Sequence, residues 1–373
     1  MGSDSSWQSD VVLADGGTVR VRRLGPDDAD RVLRMYERLS DESVYMRFFS
    51  PLPRPTAAQL ERLATIDEYH HMSLAALLGD EIIGIARYDR TGDDDAEVAF
   101  TIADDQQGRG IGTVLLEHLA VVARANGIRS FAADTLVANQ RMRGVFADAG
   151  WPVEAHYEAD GTVHLRFSIE PTEQSIAAID NRERQAEAAS MARLLSPSTI
   201  AVIGASRTPG TIGHELFRNL VNYGFQGSLY PINTAAGSVS GVPAFGSVLD
   251  VPVAVDVAIV VVPASAVPRV VQECAAKGVH GLVIVSAGFA EVGAAGAAQQ
   301  RELVASARGN GMRIIGPNCL GVVNTDPRVR MNATFAPVPP ETGRVAFLSQ
   351  SGGLGIELMA RARALGLGIS QFV

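Results

Sequence analysis

A strand that runs into a glycine-rich turn and then into a helix places the strongest constraint on the fold of this chain. The stretch is Ala96 to Gly112, and it ends in Gln-Gln-Gly-Arg-Gly-Ile-Gly. Gly108 and Gly110 leave the turn without side chains, so its backbone N–H groups can point into one volume. A helix predicted from Ile111 to Ala125 adds the positive end of its dipole. The stretch therefore predicts a phosphate-binding turn.

Length and charge limit the class of protein. The chain has 373 residues, which at about 150 residues per domain predicts two or three domains. Its formal net charge is -9, so it lacks the basic surface that a nucleic acid or an anionic membrane requires. We expect small anions held locally, or proteins with basic regions, as partners.

Composition also argues against metal, disulfide and membrane features. The two cysteines, Cys274 and Cys319, cannot build a disulfide framework or a thiolate site, and the pair His70-His71 has no third ligand at a useful spacing. Apolar runs such as Val257 to Val262 are shorter than the ~20 residues that span a bilayer. The start of the chain has no basic or apolar leader pattern. These features predict a cytoplasmic protein without a metal site.

The first segment, residues 1–170, reads as a mostly antiparallel sheet with helices on its faces, an α+β design. A hairpin turns at Asp15-Gly-Gly17, and a helix with an acidic start follows Asp27-Asp28. A second helix is predicted over 57–64. Further strands are predicted at 72–78, 82–88, 98–102, 130–135, 153–158 and 163–169, with helices at 111–126 and 140–149.

The order of these elements, with the motif Gln107-x-x-Gly110-x-Gly112, resembles the GNAT acyltransferase superfamily. The resemblance implies that acetyl-CoA binds here, with strand backbone groups holding the pantetheine and turn amides holding the pyrophosphate. The implied strand residues are Phe100, Thr101 and Ile102. The implied turn residues are Gln107, Gly108, Arg109, Gly110, Ile111, Gly112 and Thr113. The alternative is an ordinary loop that is rich in glycine.

Acylation of an amine requires a free amine, and a lysine side chain has an ordinary pKa of about 10.4, so we expect a general base. Glu97 matches the strand glutamate that many superfamily members use, and partial burial beside the sheet would raise its pKa. The alternative is a solvent-facing strand residue. The acidic run Asp93-Asp94-Asp95 either attracts a protein lysine or forms a solvated loop.

Asn139 matches the asparagine that contacts the cofactor near its sulfur in this superfamily, and it also suits a helix N-cap. The superfamily often has a tyrosine seven residues later as the acid for the leaving thiolate. Phe146 occupies that position here, so either solvent supplies the proton or the thiolate leaves unassisted. Tyr88 and Tyr157 are the substitutes that we consider.

After a helical linker at 171–197, residues 198–337 alternate apolar strands with helices, which predicts a doubly wound α/β domain. The motifs Ile203-Gly-Ala-Ser, Val262-Pro-Ala, Val285-Ser-Ala-Gly-Phe and Gly316-Pro-Asn-Cys resemble the CoA-binding domain of NDP-forming acyl-CoA synthetases. The resemblance implies a second CoA site at Gly204, Ser206, Arg207, Thr208, Pro209, Pro263, Ala264, Ser286 and Ala287. Ala235 stands where that family commonly has a phosphate-binding lysine, so the alternative is a sheet domain that has lost its ligand.

Residues 338–373 resemble the start of a succinyl-CoA ligase-like domain. One strand and one helix cannot bury a core, so we expect either a fragment of a longer protein or a piece that packs on the preceding domain. The histidine and the partner domain that NDP-forming ligation requires are not in this sequence, and ligation is not expected of it.

Together the two domains resemble the Pat-type bacterial protein lysine acetyltransferases, and Leu39 to Phe49 resembles a stretch that those enzymes carry after their first helix. The resemblance implies acetyl transfer to lysines of proteins such as AMP-forming acyl-CoA synthetases, with the second domain sensing CoA or acetyl-CoA. The alternatives are an acyl-CoA sensor with an inactive transferase, a transferase for small amines and a synthetase with an extra domain. The oligomeric state stays open.

Overall fold

The computed structural model describes residues 7–49 and 69–373, which divide into two compact units, Met1–Ala188 and Ala189–Val373. The helix predicted over 57–64 lies outside the described residues. No helix in the described part of the chain has the length and apolar character needed to cross a membrane.

Unit 1 is built on one large sheet with helices on its faces. Its strands are β1 (Gln8–Val12), β2 (Thr18–Arg23), β3 (His71–Leu78), β4 (Glu81–Arg90), β5 (Asp95–Ile102), β6 (Ser130–Leu136), β7 (Val153–Tyr157) and β8 (Thr162–Ser168). Its helices are α1 (Ala29–Glu37), α2 (Asp41–Phe48), α3 (Ile111–Ala125) and α4 (Gln140–Asp148). The strand order is β1-β2-β3-β4-β5-β6-β8-β7, and β5 with β6 is the parallel pair among antiparallel ones. The predicted α+β fold is confirmed.

The two faces of this sheet are covered differently. On one face, α3 buries Leu115, Leu116 and Leu119 in a core that also contains the aromatic rings of β6, α4 and β8. On the other face, α1 buries Val32 and Met35 against the strands β3 and β4. Helix α2 was not predicted, because Asp41 to Phe48 has a weak apolar periodicity and one fully buried residue, Val44.

A long helix, α5 (Glu173–Leu195), occupies most of the predicted linker. The Thr172 hydroxyl accepts a hydrogen bond of 3.0 Å from the Ser175 N–H and so caps this helix. Within unit 1, Arg182 pairs with Glu117 of α3. At its end, Leu194 and Leu195 belong to the core of unit 2.

Unit 2 contains a five-stranded parallel sheet in the order β10-β9-β13-β14-β15 and a four-stranded sheet in the order β17-β16-β19-β18. The strands are β9 (Thr199–Ile203), β10 (Ser228–Ile232), the short pair β11 (Ser238–Val239) and β12 (Val242–Pro243), β13 (Val257–Val260), β14 (Gly281–Ile284), β15 (Arg313–Ile315), β16 (Gly321–Asn324), β17 (Met331–Thr334), β18 (Thr342–Phe347) and β19 (Ile369–Phe372). The helices are α6 (Ile212–Tyr223), α7 (Val267–Lys277), α8 (Ala294–Gly309) and α9 (Gly352–Ala364). The predicted doubly wound α/β domain is confirmed.

The last part of the chain packs on the rest of unit 2, which is one of the two arrangements expected for residues 338–373. Strands β18 and β19 join β16 and β17, which the sequence did not reveal as strands. Leu320 and Val323 form a small core with Met359, Ile369 and Phe372. Residues 342–372 therefore complete a sheet that begins at Gly321.

Candidate functional site

The phosphate-binding turn follows a place where two parallel strands separate. Strands β5 and β6 pair only at Asp95, Ala96 and Glu97, opposite Ser130 to Ala132. Beyond these residues β5 stays with β4 as far as Ile102, whereas β6 stays with β8. The edge of β5 from Val98 onward therefore faces an opening instead of a partner strand.

The direction of each backbone N–H and C=O group decides which residues of β5 can contact a ligand in this opening. Asp95 O accepts from Thr91, and the Ala103 N–H donates to Ile83 O, so odd-numbered residues direct their backbone groups towards β4. Since the direction alternates along a strand, Val98, Phe100 and Ile102 direct theirs into the opening.

The prediction for Thr101 as a backbone contact to the cofactor is therefore wrong. Its backbone faces β4, and its side chain is buried. Because backbone direction alternates along the strand, Thr101 leaves the set of predicted cofactor contacts and Val98 joins it. The two-residue repeat of a strand could have identified Val98 from the sequence.

The turn after β5 has the conformation that its glycines suggest. Gly108 and Gly110 have φ angles of 79° and 85°, the left-handed region that favours glycine. The hydrogen-bond ladder of α3 begins where the Val114 N–H donates to Gly110 O over 3.1 Å. The amides of Ile111, Gly112 and Thr113 precede that bond and have no acceptor within the helix, which suits a phosphate group.

Two predicted cofactor residues use their side chains to hold the turn. The Arg109 guanidinium pairs with Asp15 at 2.8 Å, and Arg109 O accepts a hydrogen bond from the Ala14 N–H. These contacts fix the turn against the β1–β2 hairpin. The backbone of Arg109 remains a predicted cofactor contact.

Gln107 links three elements of secondary structure. Its Nε2 donates to Ile102 O, Asp104 Oδ1 and Ser43 Oγ at 3.1–3.3 Å, and its Oε1 accepts from Arg141. The carboxamide thus joins the end of β5, helix α2 and the start of α4. Gln107 therefore positions the turn. Arg141 also lies at the turn, and the sequence analysis did not predict it.

Glu97 lies at the last paired position before the opening, next to Ala132 of β6 and opposite Asp89 of β4. Its side chain is exposed, so the expected partial burial is wrong. The face that it shares carries a charged cluster with Arg47, Arg87 and Asp89. Burial lowers the pKa of the Arg47 guanidinium, and the negative charges of Glu97 and Asp89 oppose that change.

The acidic run before Glu97 has structural partners. Asp94 O accepts hydrogen bonds from the N–H groups of Arg129 and Ser130. Asp95 pairs with Arg166 at 2.7 Å. These contacts indicate that the acidic run has a structural role. They do not favour the alternative, in which the run by itself attracts a lysine.

The residues near the predicted sulfur end have separate roles. Asn139 Oδ1 accepts from the Met142 N–H at 3.0 Å, so Asn139 caps α4. Phe146 is buried against Phe100, with ring centroids 6.0 Å apart. Tyr88 is fully buried and its hydroxyl accepts from Asn126, whereas Tyr157 is 57% exposed. Of the two tyrosines considered as the acid, only Tyr157 is accessible to a substrate.

Unit 2 contains a cavity of about 1060 Å³ at the carboxyl ends of its parallel strands. Five of the predicted CoA residues line it: Gly204, Ser206, Pro263, Ser286 and Ala287. Four do not: Arg207, Thr208, Pro209 and Ala264. The sequence missed lining residues from later in the chain, which are Asn318, Cys319 and the stretch 350–353. That stretch leads into α9, and its adjacent glycines Gly352 and Gly353 are the signal that the sequence offered.

The shape of this cavity depends on close backbone contacts. A Cβ atom on Gly204 would lie 2.2 Å from Val261 O, so only glycine fits where β9 turns into α6. The Ser286 hydroxyl donates to Val262 O at 2.6 Å and joins the ends of β13 and β14. Burial raises the pKa of the Cys319 thiol to about 11, so this lining thiol stays protonated at neutral pH.

The lining of the cavity carries no charged side chain among the described residues. The starts of α6 and α9 line it at Ile212, Gly213, Gly352 and Gly353. Asn233 folds the loop after β10 by accepting from the amides of Ala235 and Ala236 at 2.8 and 2.9 Å. A phosphate in this cavity would therefore depend on amides and hydroxyls.

Both candidate sites present backbone amides at glycine turns, an arrangement that suits the phosphates of a CoA-type ligand. Residues 33–151 match the acetyltransferase (GNAT) family, and residues 198–325 match the CoA binding domain family. The chain is 35% identical over 144 residues to Acetyltransferase PA5475 of Pseudomonas aeruginosa, a match that covers 37% of this chain and 77% of that protein. The chain belongs to the GNAT acetyltransferase family.

The second unit has relatives of another kind. Acetate–CoA ligase (ADP-forming) I of Archaeoglobus fulgidus is 46% identical over 183 residues, which are 49% of this chain and 26% of that enzyme. The chain thus spans about a quarter of the length of that relative. Among solved structures, the GNAT domain of S. lividans PAT is 47% identical, with a TM-score of 0.43, and the match covers 45% of this chain and 99% of that domain.

Proposed function

We propose that this protein is a Pat-type lysine acetyltransferase, in which unit 1 transfers the acetyl group of acetyl-CoA to the ε-amine of a lysine in another protein. The observation that carries the proposal is Glu97 at the last paired position before the β5–β6 opening. A carboxylate there stands next to Val98, the first residue of β5 whose backbone faces the opening. Acyl-CoA synthetases of the AMP-forming class are the proposed acceptors, and the cytoplasm is the proposed location.

The general base in this proposal is Glu97. A lysine ammonium must lose a proton before it attacks, and Glu97 accepts it directly or through a water, since the exposed carboxylate is reachable by solvent. The amine then attacks the thioester carbon within a ternary complex, and the CoA thiolate leaves. The proton for the thiolate comes from solvent or from the exposed Tyr157.

The backbone around the opening binds and polarises acetyl-CoA in this proposal. The Ile102 backbone lies at the edge of the opening and polarises the thioester carbonyl, whereas the amides from Gly108 to Thr113 hold the pyrophosphate. Because these groups belong to a strand and a helix start, they need little rearrangement when acetyl-CoA binds.

Unit 2 has the proposed role of sensing CoA or acetyl-CoA. Its cavity is large enough for a substantial part of such a ligand. Ala235 provides no cation for a phosphate, so we expect weaker binding than a site with lysine would give.

The test of the proposed function is acetyl transfer to proteins. The purified chain is incubated with acetyl-CoA and a cytosolic protein extract, and acetyl-lysine is quantified by mass spectrometry. We expect Glu97→Gln to bind acetyl-CoA normally and to lose about 10²- to 10⁴-fold in kcat at neutral pH, as is typical when a general base is removed. Glu183→Lys, on the exposed side of α5, is the control for an unrelated charge change.

Two results would contradict this assignment. Nearly normal kcat in the Glu97→Gln variant would remove Glu97 as the base. Transfer to free amines without transfer to any protein would favour the small-amine alternative, and cofactor binding without any transfer would favour an acyl-CoA sensor.

A further inference from the structure

Among the described residues of unit 1, the outer strands β7 and β8 have one face of exposed side chains. Strand β8 alternates strictly: Val163, Leu165 and Phe167 are buried on the helix side, whereas the residues between them are exposed. The exposed side chains on this side of β6, β8 and β7, together with the small Ala132, are called here the open face. Its members are Ala132, Asp134, Glu154, His156, His164 and Arg166.

The members of the open face are accessible to another molecule. The side chains of His156 and Arg166 are 78% and 60% exposed, and those of Asp134 and His164 are nearly half exposed. Such a sheet face usually packs against a helix or a second sheet. Here charged and polar side chains make it compatible with water and also with a protein partner.

Strand register places the open face next to Glu97. Glu97 lies opposite Ala132, Ala132 opposite Arg166, and Arg166 opposite Glu154, in one row across four strands. At a strand spacing of about 4.8 Å, this row extends roughly 14 Å from the candidate base. Ala132 is the smallest member of this row and is partly buried.

Carboxylates outnumber arginines in this row and among its neighbours: Glu97, Glu154, Asp134, Asp95 and Asp89 against Arg166, Arg87 and Arg47. Asp134 lies 2.5 Å from the His164 imidazole, and Arg166, the only arginine or lysine of the open face, is paired with Asp95. Glu97 and Glu154 add two further carboxylates at the ends of the row. A positively charged partner is therefore attracted to this surface.

We propose that the open face is the docking surface for the acceptor protein and that it takes a basic segment in which the reactive lysine is flanked by arginine or lysine. This inference rests on the proposed function, because it assigns the acceptor side of the same reaction. The segment lies across β6, β8 and β7, and its reactive lysine reaches Glu97 at the edge of the opening. Charge complementarity selects basic segments over acidic ones.

The experiment compares two synthetic peptides of equal length, one lysine each, flanked either by arginine or by glutamate. Acetylation kinetics are measured for wild type, for Glu154→Gln, for Glu154→Lys and for the double variant Asp134→Lys/Glu154→Lys. Glu183→Lys is the matched control, since α5 packs on α3 behind the other face of the sheet. Circular dichroism establishes that each variant is folded.

We expect wild type to prefer the arginine-flanked peptide. The double variant should lose about tenfold in kcat/KM for that peptide at low salt, mainly through KM, because steering by local charge has this magnitude. Glu154→Gln should show a smaller loss. The difference should shrink in 1 M salt, where the screening length is only about 3 Å.

The possible outcomes separate the two proposals. Transfer by wild type without a charge preference, or an equal loss in Glu183→Lys, overturns the docking surface alone. A change in sedimentation of the open-face variants without a change in peptide preference also overturns it, since the face would then bind a second copy of this chain. If wild type acetylates neither peptides nor proteins, the proposed function itself fails.

Discussion

Asp28 shows how a single side chain fixes the start of α1. It is 2% exposed, and its two oxygens accept hydrogen bonds from Arg22 at 2.6 and 2.8 Å, with the Gly25 amide at 2.9 Å. Burial acts to raise the pKa of Asp28, but the hydrogen bonds and the charges of Arg22 and Arg31 hold it below its usual value. The sequence revealed an acidic helix start, whereas the partners on β2 required the fold.

We expect Asp28→Asn to destabilise the protein by about 2 kcal/mol at pH 7, less than for a fully buried pair because Arg22 stays partly exposed. A lowered folded pKa contributes stability above the ordinary aspartate pKa of about 3.9 and loses it as the pH falls through the lowered value. The variant should therefore approach wild type in acid. Urea unfolding at pH 7 and below pH 4 measures this, with the exposed neighbour in Asp27→Asn as control.

Helix α2 illustrates how elements are joined around the candidate site. Ser40 caps it and bonds Asp104 through its N–H at 2.8 Å, while Ser43 accepts from Gln107. Near its other end, Arg47 lies within electrostatic range of Glu97. This helix thus connects the phosphate-binding turn with the face that carries the candidate base.

Replacing Gln107 by leucine keeps the size of the side chain and removes its hydrogen bonds to three elements. Since each such bond contributes about 1 kcal/mol, we expect KM for acetyl-CoA to rise about tenfold, with a smaller effect on kcat. Steady-state kinetics with varied acetyl-CoA measures both constants. Gln185→Leu, exposed on α5, should leave them unchanged; an unchanged KM in Gln107→Leu would exclude the positioning role.

At the scale of the whole molecule, one chain carries two separate places for a CoA-type ligand, one in each unit. The first is an opening between strands, and the second is a cavity between strand ends and two helix starts. Because the two sites are lined by different residues, we expect them to bind CoA with different affinities. The turn of unit 1 has arginines at its rim, whereas the cavity of unit 2 has an uncharged lining among the described residues.

We therefore expect two classes of CoA site in isothermal titration calorimetry. Gly353→Glu should weaken the unit 2 class at least about tenfold, because the added carboxylate occupies the cavity and repels phosphate. A Cβ atom at Gly353 meets no neighbour within 4 Å, so the variant should fold. Arg301→Glu, exposed on α8, should retain both classes. A single class in wild type would contradict the second site.

The sequence by itself determined the elements whose signals are local. Glycines at 108 and 110 specify the left-handed turn, continuous apolar runs specify the parallel strands of unit 2, and Asn139 specifies a helix cap. Each signal depends on the conformational preference or the burial of neighbouring residues, which the order of residues records directly.

Only the tertiary structure decided the features that depend on strand pairing between distant parts of the chain. The strand register shows that the backbone of Thr101 faces β4, whereas that of Phe100 faces the opening. It also places the exposed Glu97 in one row with Arg166 and Glu154. Pairing also drew the last residues of the chain into a sheet with Gly321 to Asn324. The physical reason is that residues far apart in the sequence choose partners by packing the shared core, a choice that no local pattern contains.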